Sequence, residues 1–343
     1  MQIRPNELQG LINLKTKYIK KRTVAGYGQL AFIPSLVSRV FTGRCRYAGV
    51  MITTCFLMVV NSLASSVFTE PVGYRVVESE SGMSIVSVPF VSQSSVELTV
   101  ESVSPGGILF FAERVTVPER SYIHVLSGHA SGAVASIYSA IDYQVELEFN
   151  LGIAAGDRVA IRQHQTVDSI LGEANFSGGD TLTFYNIDGT AEVLSYFEGF
   201  GWYDSSFEYA GDVSMFPGEA WVANTSSGFS FICYGAVLAH PINVYFGAQS
   251  VALIGSLNPV EELSIGEVFA SSLRGGDTVT RYESVDGRLV PLGVYSYFDG
   301  FGFYDDSFQL SDHVTIGLAG GVVLVSGEAG FISLPPAFQP SED

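Results

Sequence analysis

The chain has 343 residues and no lysine after Lys21. From residue 67 to 343 it carries eight arginines against 34 acidic residues, a net charge of −26. Binding to nucleic acid or to an anionic lipid surface depends on clustered Lys and Arg side chains. The deficit therefore argues against nucleic acid as a partner and favours a solvated protein with little nonspecific association.

Cysteine is scarce as well. Of the three cysteines, Cys45 and Cys55 precede residue 67, which leaves Cys233 alone in the acidic part of the chain. A single cysteine cannot form an internal disulfide, and no cysteine pair is present there to complete a zinc site. Cys233 lies within the apolar run Phe229–Tyr234, so we expect it to be a small buried residue on a strand.

Recognisable catalytic motifs are also missing. No two of the five histidines have the i, i+4 spacing of zinc hydrolases. The chain has no Gly-x-Ser-x-Gly elbow, and the segments 199–201 and 300–302 lack the third glycine of a phosphate-binding loop. We expect a protein that is not an enzyme. Because carboxylates are abundant, a secreted hydrolase with a carboxylate site stays as an alternative.

More than half of the basic residues of the chain lie near the N-terminus. Residues 1–66 hold nine Lys or Arg and a single acid. Within this leader, Arg44 and Arg46 precede an uncharged, largely apolar run at 48–60, and small residues follow. A basic region, a short apolar run and small residues are the three parts of a secretory signal peptide. Cleavage is expected near Ala64.

The apolar run is shorter than the ~20 residues of a membrane-spanning helix. A signal peptide is therefore favoured over a signal anchor, and no stable transmembrane domain is expected after cleavage. Residues 1–40 are long for a basic region, which indicates either an extended leader or a true start between Val40 and Met51. The mature protein is expected to be extracellular, periplasmic or associated with the outer surface.

From Val67 onward, apolar residues alternate or cluster in runs of four to eight, separated by Gly, Ser, Asn and Asp. Val, Ile, Phe, Tyr and Thr are frequent in these runs, which is typical of β-strands. Val167–Glu173 and Ile265–Ser271 could each form one or two helical turns. The predicted fold class is all-β, with tandem small β-sandwich or β-barrel modules after an N-terminal signal helix.

An aromatic segment occurs twice. SYFEGFGWYDSSF at 195–207 returns as SYFDGFGFYDDSF at 296–308, with most positions identical. A Gly-Gly-Asp-Thr sequence precedes each, at 178–181 and 275–278. Such self-similarity at a fixed period predicts a duplicated structural unit.

Further matches set the expected domain boundaries. Asp-Gly pairs stand at equivalent places, 188–189 and 286–287, and favour tight hairpin turns. A weaker likeness joins 84–89 to 252–257, and we expect each segment to open a module. The predicted parts are the leader at 1–66, a first β-domain at 67–165, repeat copies at 166–249 and 250–338, and a disordered tail at 339–343.

The repeated motif is rich in aromatic rings. Burying one ring removes about 150–250 Å² from water, which makes core packing the first interpretation. Adjacent residues on a strand face opposite sides, however, so some rings are expected to face water and to bind sugar rings or a protein. The candidate binding residues are Tyr196, Trp202 and Tyr203 in the first copy and Tyr297, Phe303 and Tyr304 in the second.

Loop carboxylates recur beside these rings. Asp305, Asp306 and Asp312 could supply the hard oxygen ligands that calcium prefers. No Asp-x-Asp-x-Asp-Gly loop is present. No cofactor is therefore the primary expectation, and calcium is the alternative.

Six segments follow one another along the chain: TEPVGY at 69–74, SIVSVP at 84–89, IHVLSG at 123–128, AGDRVAIRQHQTV at 155–167, GWY at 201–203 and PGEAW at 217–221. In this order they resemble a family of exported, β-rich bacterial proteins of the planctomycete–verrucomicrobial type. The resemblance covers nearly all of 67–255. It implies a signal peptide and β-rich repeats, and it supplies no catalytic residue because that family has no assigned activity.

Together these features favour an exported, non-enzymatic β-repeat protein of the cell envelope or exterior, with a structural or adhesive role. The first alternative is a carbohydrate-binding module that uses exposed Tyr, Phe and Trp of the repeated motif. Envelope glycan or other envelope proteins are the expected partners, and the sequence leaves the oligomeric state open.

Processing of the leader is the first testable prediction. Mass spectrometry of the protein recovered from its native cells should find a mature N-terminus within two residues of Ser65, because cleavage is expected after Ala64. Tryptic peptides from residues 1–39 should be missing from the whole-cell digest if translation starts after them. Recovery of those peptides would contradict the later start, and an intact apolar run would contradict cleavage.

Overall fold

The computed structural model describes residues 70–172 and 174–338. The expected signal helix, the cleavage near Ala64 and the tail at 339–343 lie outside the described residues. No helix within the described ranges is long and apolar enough to cross a membrane. Strands dominate and the helices are short, so the fold is all-β, as the sequence predicts.

The elements are numbered in chain order. The strands before the first helix are β1 (Val72–Ser79), β2 (Gly82–Ser87), β3 (Ser94–Val103), β4 (Leu109–Phe111), β5 (Ser121–Val125), β6 (Val134–Ile141), β7 (Gln144–Leu147), β8 (Arg158–Gln163) and β9 (Gln165–Thr166). Helix α1 (Val167–Leu171) precedes β10 (Thr181–Tyr185), β11 (Ala191–Phe197), β12 (Gly201–Tyr203), β13 (Ser214–Met215), β14 (Ala220–Thr225), β15 (Phe229–Ala236), β16 (Ile242–Phe246), β17 (Ser250–Gly255) and β18 (Leu263–Ser264). Helix α2 (Ile265–Phe269) precedes β19 (Thr278–Val285), β20 (Arg288–Phe298), β21 (Gly302–Tyr304), β22 (Thr315–Ile316), β23 (Gly321–Ser326) and β24 (Gly330–Leu334).

A closed antiparallel barrel is built from six consecutive strands of the chain, β3 to β8. Their order around the barrel is β3-β4-β7-β6-β5-β8. Its interior is filled by branched apolar side chains, with Ile123, Val145, Val159 and Ile161 all fully buried. Closure leaves these strands without a free edge.

The remaining strands form two sets with one pairing pattern. The first set has the sheet β12-β11-β10-β14-β2 with the strand pairs β1–β15 and β9–β13. The second has the sheet β21-β20-β19-β23-β17 with the pairs β16–β24 and β18–β22. Helices α1 and α2 hold equivalent positions and both begin with a capping box, so the two predicted helical turns are confirmed.

The first set is discontinuous in sequence, because the barrel is inserted between β2 and β9. Strand β1 pairs with β15 and β2 pairs with β14, although both precede the barrel. Strand β16 pairs with β24 of the second set. These strand pairs join segments that lie on opposite sides of the predicted domain boundaries after residues 165 and 249. They also give the likeness of 84–89 to 252–257 a physical reason, since both segments include an edge strand of a five-stranded sheet.

The repeated Gly-Gly-Asp segments serve to anchor backbone. The buried carboxylate of Asp180 accepts hydrogen bonds from the backbone N–H groups of Ser177 and Ser226, each at 2.8 Å. Asp277 makes the two equivalent bonds in the second set. A buried carboxylate is tolerated when its oxygens are paired in this way.

The Asp-Gly pairs differ between the sets. Asp286 and Gly287 have φ values of 49° and 73° and form a two-residue turn between β19 and β20, as Asp-Gly predicts. In the first set the closing pair is Tyr185 with Ala191, so a five-residue loop replaces the tight turn.

The two sets meet through reciprocal backbone contacts. Ser87 at the end of β2 donates its N–H to the second set at 2.9 Å, and Gly255 at the end of β17 donates to Gly218 of the first set at 2.8 Å. Gly82 has φ of 100°, and a Cβ there would lie 2.1 Å from the Gly287 Cα. Only glycine fits this crossing.

Buried polar side chains join the barrel to the rest of the fold. Arg162 on β8 is 2% exposed and forms an ion pair with Glu70. His124 on β5 donates from Nε2 to the Pro241 carbonyl at 2.8 Å. Burial lowers the pKa of His124 to about 3 and that of His164 to about 4, so both rings are neutral at pH 7.

The second prediction concerns the pH dependence of stability. A histidine whose folded pKa lies below its unfolded value near 6.5 contributes stability at neutral pH, which is lost as the pH falls towards the folded pKa. When the pH falls from about 7.5 to about 5, wild type should lose about 2 kcal/mol more unfolding free energy than His164→Phe loses. Denaturant titrations at both pH values measure this difference.

The exposed residue His313 provides the control. His313→Gln should leave the pH dependence of wild type unchanged. A His164→Phe protein with the wild-type pH dependence would contradict a buried neutral His164.

Candidate functional site

Three of the six predicted binding rings lie in the core. Trp202, Phe303 and Tyr297 are 1%, 0% and 7% exposed, so they cannot belong to an exposed platform. The centre of β12 or β21 faces inward, where Trp202 packs 4.8 Å from the ring of Phe176. Tyr297 packs 5.1 Å from Phe303 in the same way. Core packing, the first interpretation of the motif, holds for these rings.

The other three predicted rings are partly exposed. Tyr196 lies 5.2 Å from the Trp202 ring and supports the core. Tyr203 and Tyr304 face outward, because each follows an inward residue on its strand. Their ring centroids lie 5.5 Å from Phe197 and 5.6 Å from Phe298, respectively.

The most exposed rings of the motif belong to four phenylalanines that are not among the six predicted binding residues. Phe200 and Phe207 are each 74% exposed, and their counterparts Phe301 and Phe308 are 73% and 74% exposed. The first aromatic surface consists of Phe197, Phe200, Tyr203, Phe207 and Tyr209. The second aromatic surface consists of Phe298, Phe301, Tyr304, Phe308 and Leu310. The two surfaces thus present nearly the same apolar groups to solvent.

A fixed turn holds one ring of each surface in water. Phe207 and Phe308 have φ of 60° and 57°, a left-handed conformation that costs a bulky residue about 1–2 kcal/mol. Asp204 Oδ1 stabilises the turn by accepting the backbone N–H groups of Ser206 and Glu208, both at 2.8 Å. The same two bonds recur in the second set. Strain of this kind concentrates at functional positions.

A carboxylate lies between helix and hairpin in both sets, but it comes from opposite sides. In the first set the Asp168 N–H donates to the Gly211 carbonyl at 2.8 Å, and in the second the Gly266 N–H donates to the Asp312 carbonyl at 3.0 Å. Asp168 on α1 thus corresponds to Gly266 on α2, and Gly211 corresponds to Asp312. The helix supplies the aspartate and the hairpin the glycine in the first set, and the reverse holds in the second.

Steric contact explains why each aspartate faces a glycine. A Cβ on Gly211 would lie 2.4 Å from the Asp168 carboxylate, and a Cβ on Gly266 would lie 2.8 Å from the Asp312 Cβ. The carboxylate of Asp168 accepts a hydrogen bond from the Tyr209 hydroxyl, which raises the pKa of Tyr209 to about 12. Each set therefore keeps one carboxylate next to its aromatic surface.

The three aspartates predicted as calcium ligands have different contacts in the structure. Asp305 Oδ1 caps the turn that carries Phe308, and Asp312 Oδ1 accepts the Phe303 N–H at 2.7 Å. Asp306 is exposed beside them. Within 70–172 and 174–338, no group of three or more His, Cys, Asp or Glu side chains is placed to hold a metal ion.

Glu219 is the carboxyl group with the most unusual setting. It lies in the seam between the sets, where it forms an isolated bridge with Ile254. Burial raises the pKa of Glu219 to about 7, and no neighbouring carboxylate among the described residues contributes to the shift. A glycosidase needs two facing carboxyl groups. Glu219 therefore does not form such a pair.

A further apolar face lies on the β1–β15 strand pair. Its outward side chains are each about half exposed or more: Val72, Tyr74, Val76, Ile232 and Tyr234. In the second set the equivalent strand β16 is partly covered by a barrel loop, through the bond from the Asn243 N–H to the Gly132 carbonyl at 2.8 Å. The outward side of β16–β24 still presents Tyr245 and Phe331, so the apolar face is the more extensive in the first set.

No family model, curated protein or solved structure matches this chain. The chemistry of the surfaces thus follows from their own side chains. An exposed ring offers a face for stacking, and a nearby carboxylate accepts hydrogen bonds or pairs with a cation. Both kinds of contact are available at the first and at the second aromatic surface.

The third prediction tests the exchanged carboxylate. Asp312→Gly should lower the unfolding free energy by about 1–3 kcal/mol, because the buried Phe303 N–H loses its acceptor. Adding Gly266→Asp to that variant should cost less than Gly266→Asp costs in wild type, because the clash with the Asp312 side chain is then gone. Full recovery is not expected, since Leu310 stands where the first set has Tyr209, the partner of Asp168. Denaturant titration measures both proteins.

Gly266→Asp alone is the matched control, and it should destabilise because its side chain meets Asp312. Additive losses in the double variant would contradict the equivalence of the two carboxylate positions.

Proposed function

We propose that this chain is an exported, non-enzymatic β-repeat protein of the cell envelope or exterior, with a structural or adhesive role, and that the two aromatic surfaces make its contacts. The observation that carries the proposal is the pair of rings at Phe207 and Phe308. Both are about three-quarters exposed in a left-handed turn that an aspartate stabilises. A fold that needed these positions only as turns would be better served by glycine or asparagine.

The charge of the mature region supports the same role. Export follows from the expected signal peptide, and a net charge of −26 keeps an extracellular protein solvated. The rings of each aromatic surface are grouped exposed apolar side chains on an acidic protein, and grouped exposed apolar patches mark interaction sites.

A carbohydrate-binding module is the second candidate. Aromatic rings with neighbouring carboxylates suit a sugar, which offers an apolar ring face and hydroxyl donors. The rings that would stack are Phe200 and Phe207 with their counterparts, because Trp202 is buried. Substitution of Trp202 would therefore test the core and not the ligand contact.

The fourth prediction concerns binding to the envelope. The first-surface variant carries Phe200→Ser and Phe207→Asn, and the second-surface variant carries Phe301→Ser and Phe308→Asn. Asparagine is chosen at the turns because it tolerates positive φ. Combining both variants should weaken cosedimentation of the protein with envelope preparations of its native cells by at least about tenfold, as loss of central aromatic anchors does.

The control variant carries Tyr138→Ser and Phe149→Asn, which removes rings that are 74% and 50% exposed elsewhere on the fold. It should cosediment like wild type. Equal binding by wild type and by the combined variant, with both proteins folded by circular dichroism, would overturn the proposal.

A further inference from the structure

The charge around the aromatic surfaces points to the class of partner. The matched segments 195–211 and 296–312 contain no lysine, arginine or histidine. At the next position the first surface has Asp212, which pairs with Arg120, and the second has His313. The acidic residues of the two segments are Glu198, Asp204, Glu208, Asp299, Asp305, Asp306 and Asp312. Anionic polymers are therefore disfavoured at both surfaces, and a cationic partner is complementary to them.

The exchange of aspartate and glycine strengthens this reading of the charge. The first set places Asp168 beside Tyr209, and the second places Asp312 beside Gly302, where a Cβ would lie 2.5 Å from its carboxylate. The carboxylate is thus kept beside each surface although a different element supplies it. An ammonium group near the rings would meet both a ring face and a carboxylate.

The shape of the surfaces distinguishes a saccharide from a peptide. Phe207 and Phe308 stand at turns with three-quarters of each side chain in solvent, so each offers an open ring face. A pyranose ring stacks on such a face, whereas a bound peptide needs a groove or a free strand edge. Two surfaces of nearly equal composition on one chain also suit a ligand that repeats.

We propose that the two aromatic surfaces are paired binding sites for a polymer of amino sugars that carries free ammonium groups. The proposal rests on the proposed function and names the chemistry of its partner. Each sugar stacks on an exposed phenylalanine while its ammonium group pairs with the neighbouring carboxylates. Occupying both sites on one immobilised polymer raises the apparent affinity well above that of one site.

Binding to immobilised polymers tests the proposal. The ligands are a deacetylated hexosamine polymer, its fully N-acetylated form, a polyuronate and poly-lysine. Wild type should bind the deacetylated polymer at least about tenfold more tightly than the other saccharides, because only its ammonium groups form charge-assisted hydrogen bonds with the carboxylates. Either single-surface variant should lose about tenfold or more on this polymer, and the control variant should lose nothing.

A short amine-bearing oligosaccharide separates avidity from affinity. In titration calorimetry wild type should bind two molecules, and each single-surface variant should bind one with unchanged affinity. Equal binding of the N-acetylated polymer would overturn the role of charge. Poly-lysine binding that depends on the same rings would overturn the saccharide in favour of a peptide.

The outcome also separates this inference from the proposed function. If envelope binding depends on the rings but the deacetylated polymer does not bind, only the identity of the partner fails. If neither depends on the rings, the proposed function fails as well.

Discussion

Neighbouring side chains on a β-strand must face opposite sides of the sheet, and the two aromatic hairpins depend on this constraint. At β12 and β21 it directs Trp202 and Phe303 into the core and turns Tyr203 and Tyr304 towards solvent. The buried rings hold each hairpin in place. The rings that follow in the turn can then stay exposed without loosening the fold. A single motif thereby supplies both an anchor and a surface.

Local sequence pattern accounts for much of this fold. Strand positions, the two helical turns and the Asp286-Gly287 hairpin follow from periodicity and turn chemistry. The insertion of the barrel does not, because the pairing of β2 with β14 joins segments that are far apart in sequence and local pattern carries no record of it. The exposure of the phenylalanine rings in the turns does not follow from strand alternation, for a related reason. Phe207 and Phe308 leave the strand alternation through a left-handed turn, whose signal is the preceding Asp204 or Asp305.

Polar groups inside the fold organise the same architecture. The neutral histidines and the Arg162–Glu70 pair link the barrel to the sets, and paired aspartates fix the loops that precede β10 and β19. At the helix–hairpin contact, Asp168 on the helix of the first set and Asp312 on the hairpin of the second each place one carboxylate beside the aromatic surface. The acidic character of the chain is thus partly structural and partly a property of its two aromatic surfaces.

The central claim is that the exposed phenylalanines of the two aromatic surfaces, and not the buried Trp202, contact the partner. Hydroxyl-radical footprinting with mass spectrometry measures the solvent access of each ring directly. We expect heavy labelling of Phe200, Phe207, Phe301 and Phe308, protection of Trp202, and loss of labelling at these four phenylalanines when envelope material is added. Labelled Trp202, or four phenylalanines whose labelling does not change on binding, would contradict the account.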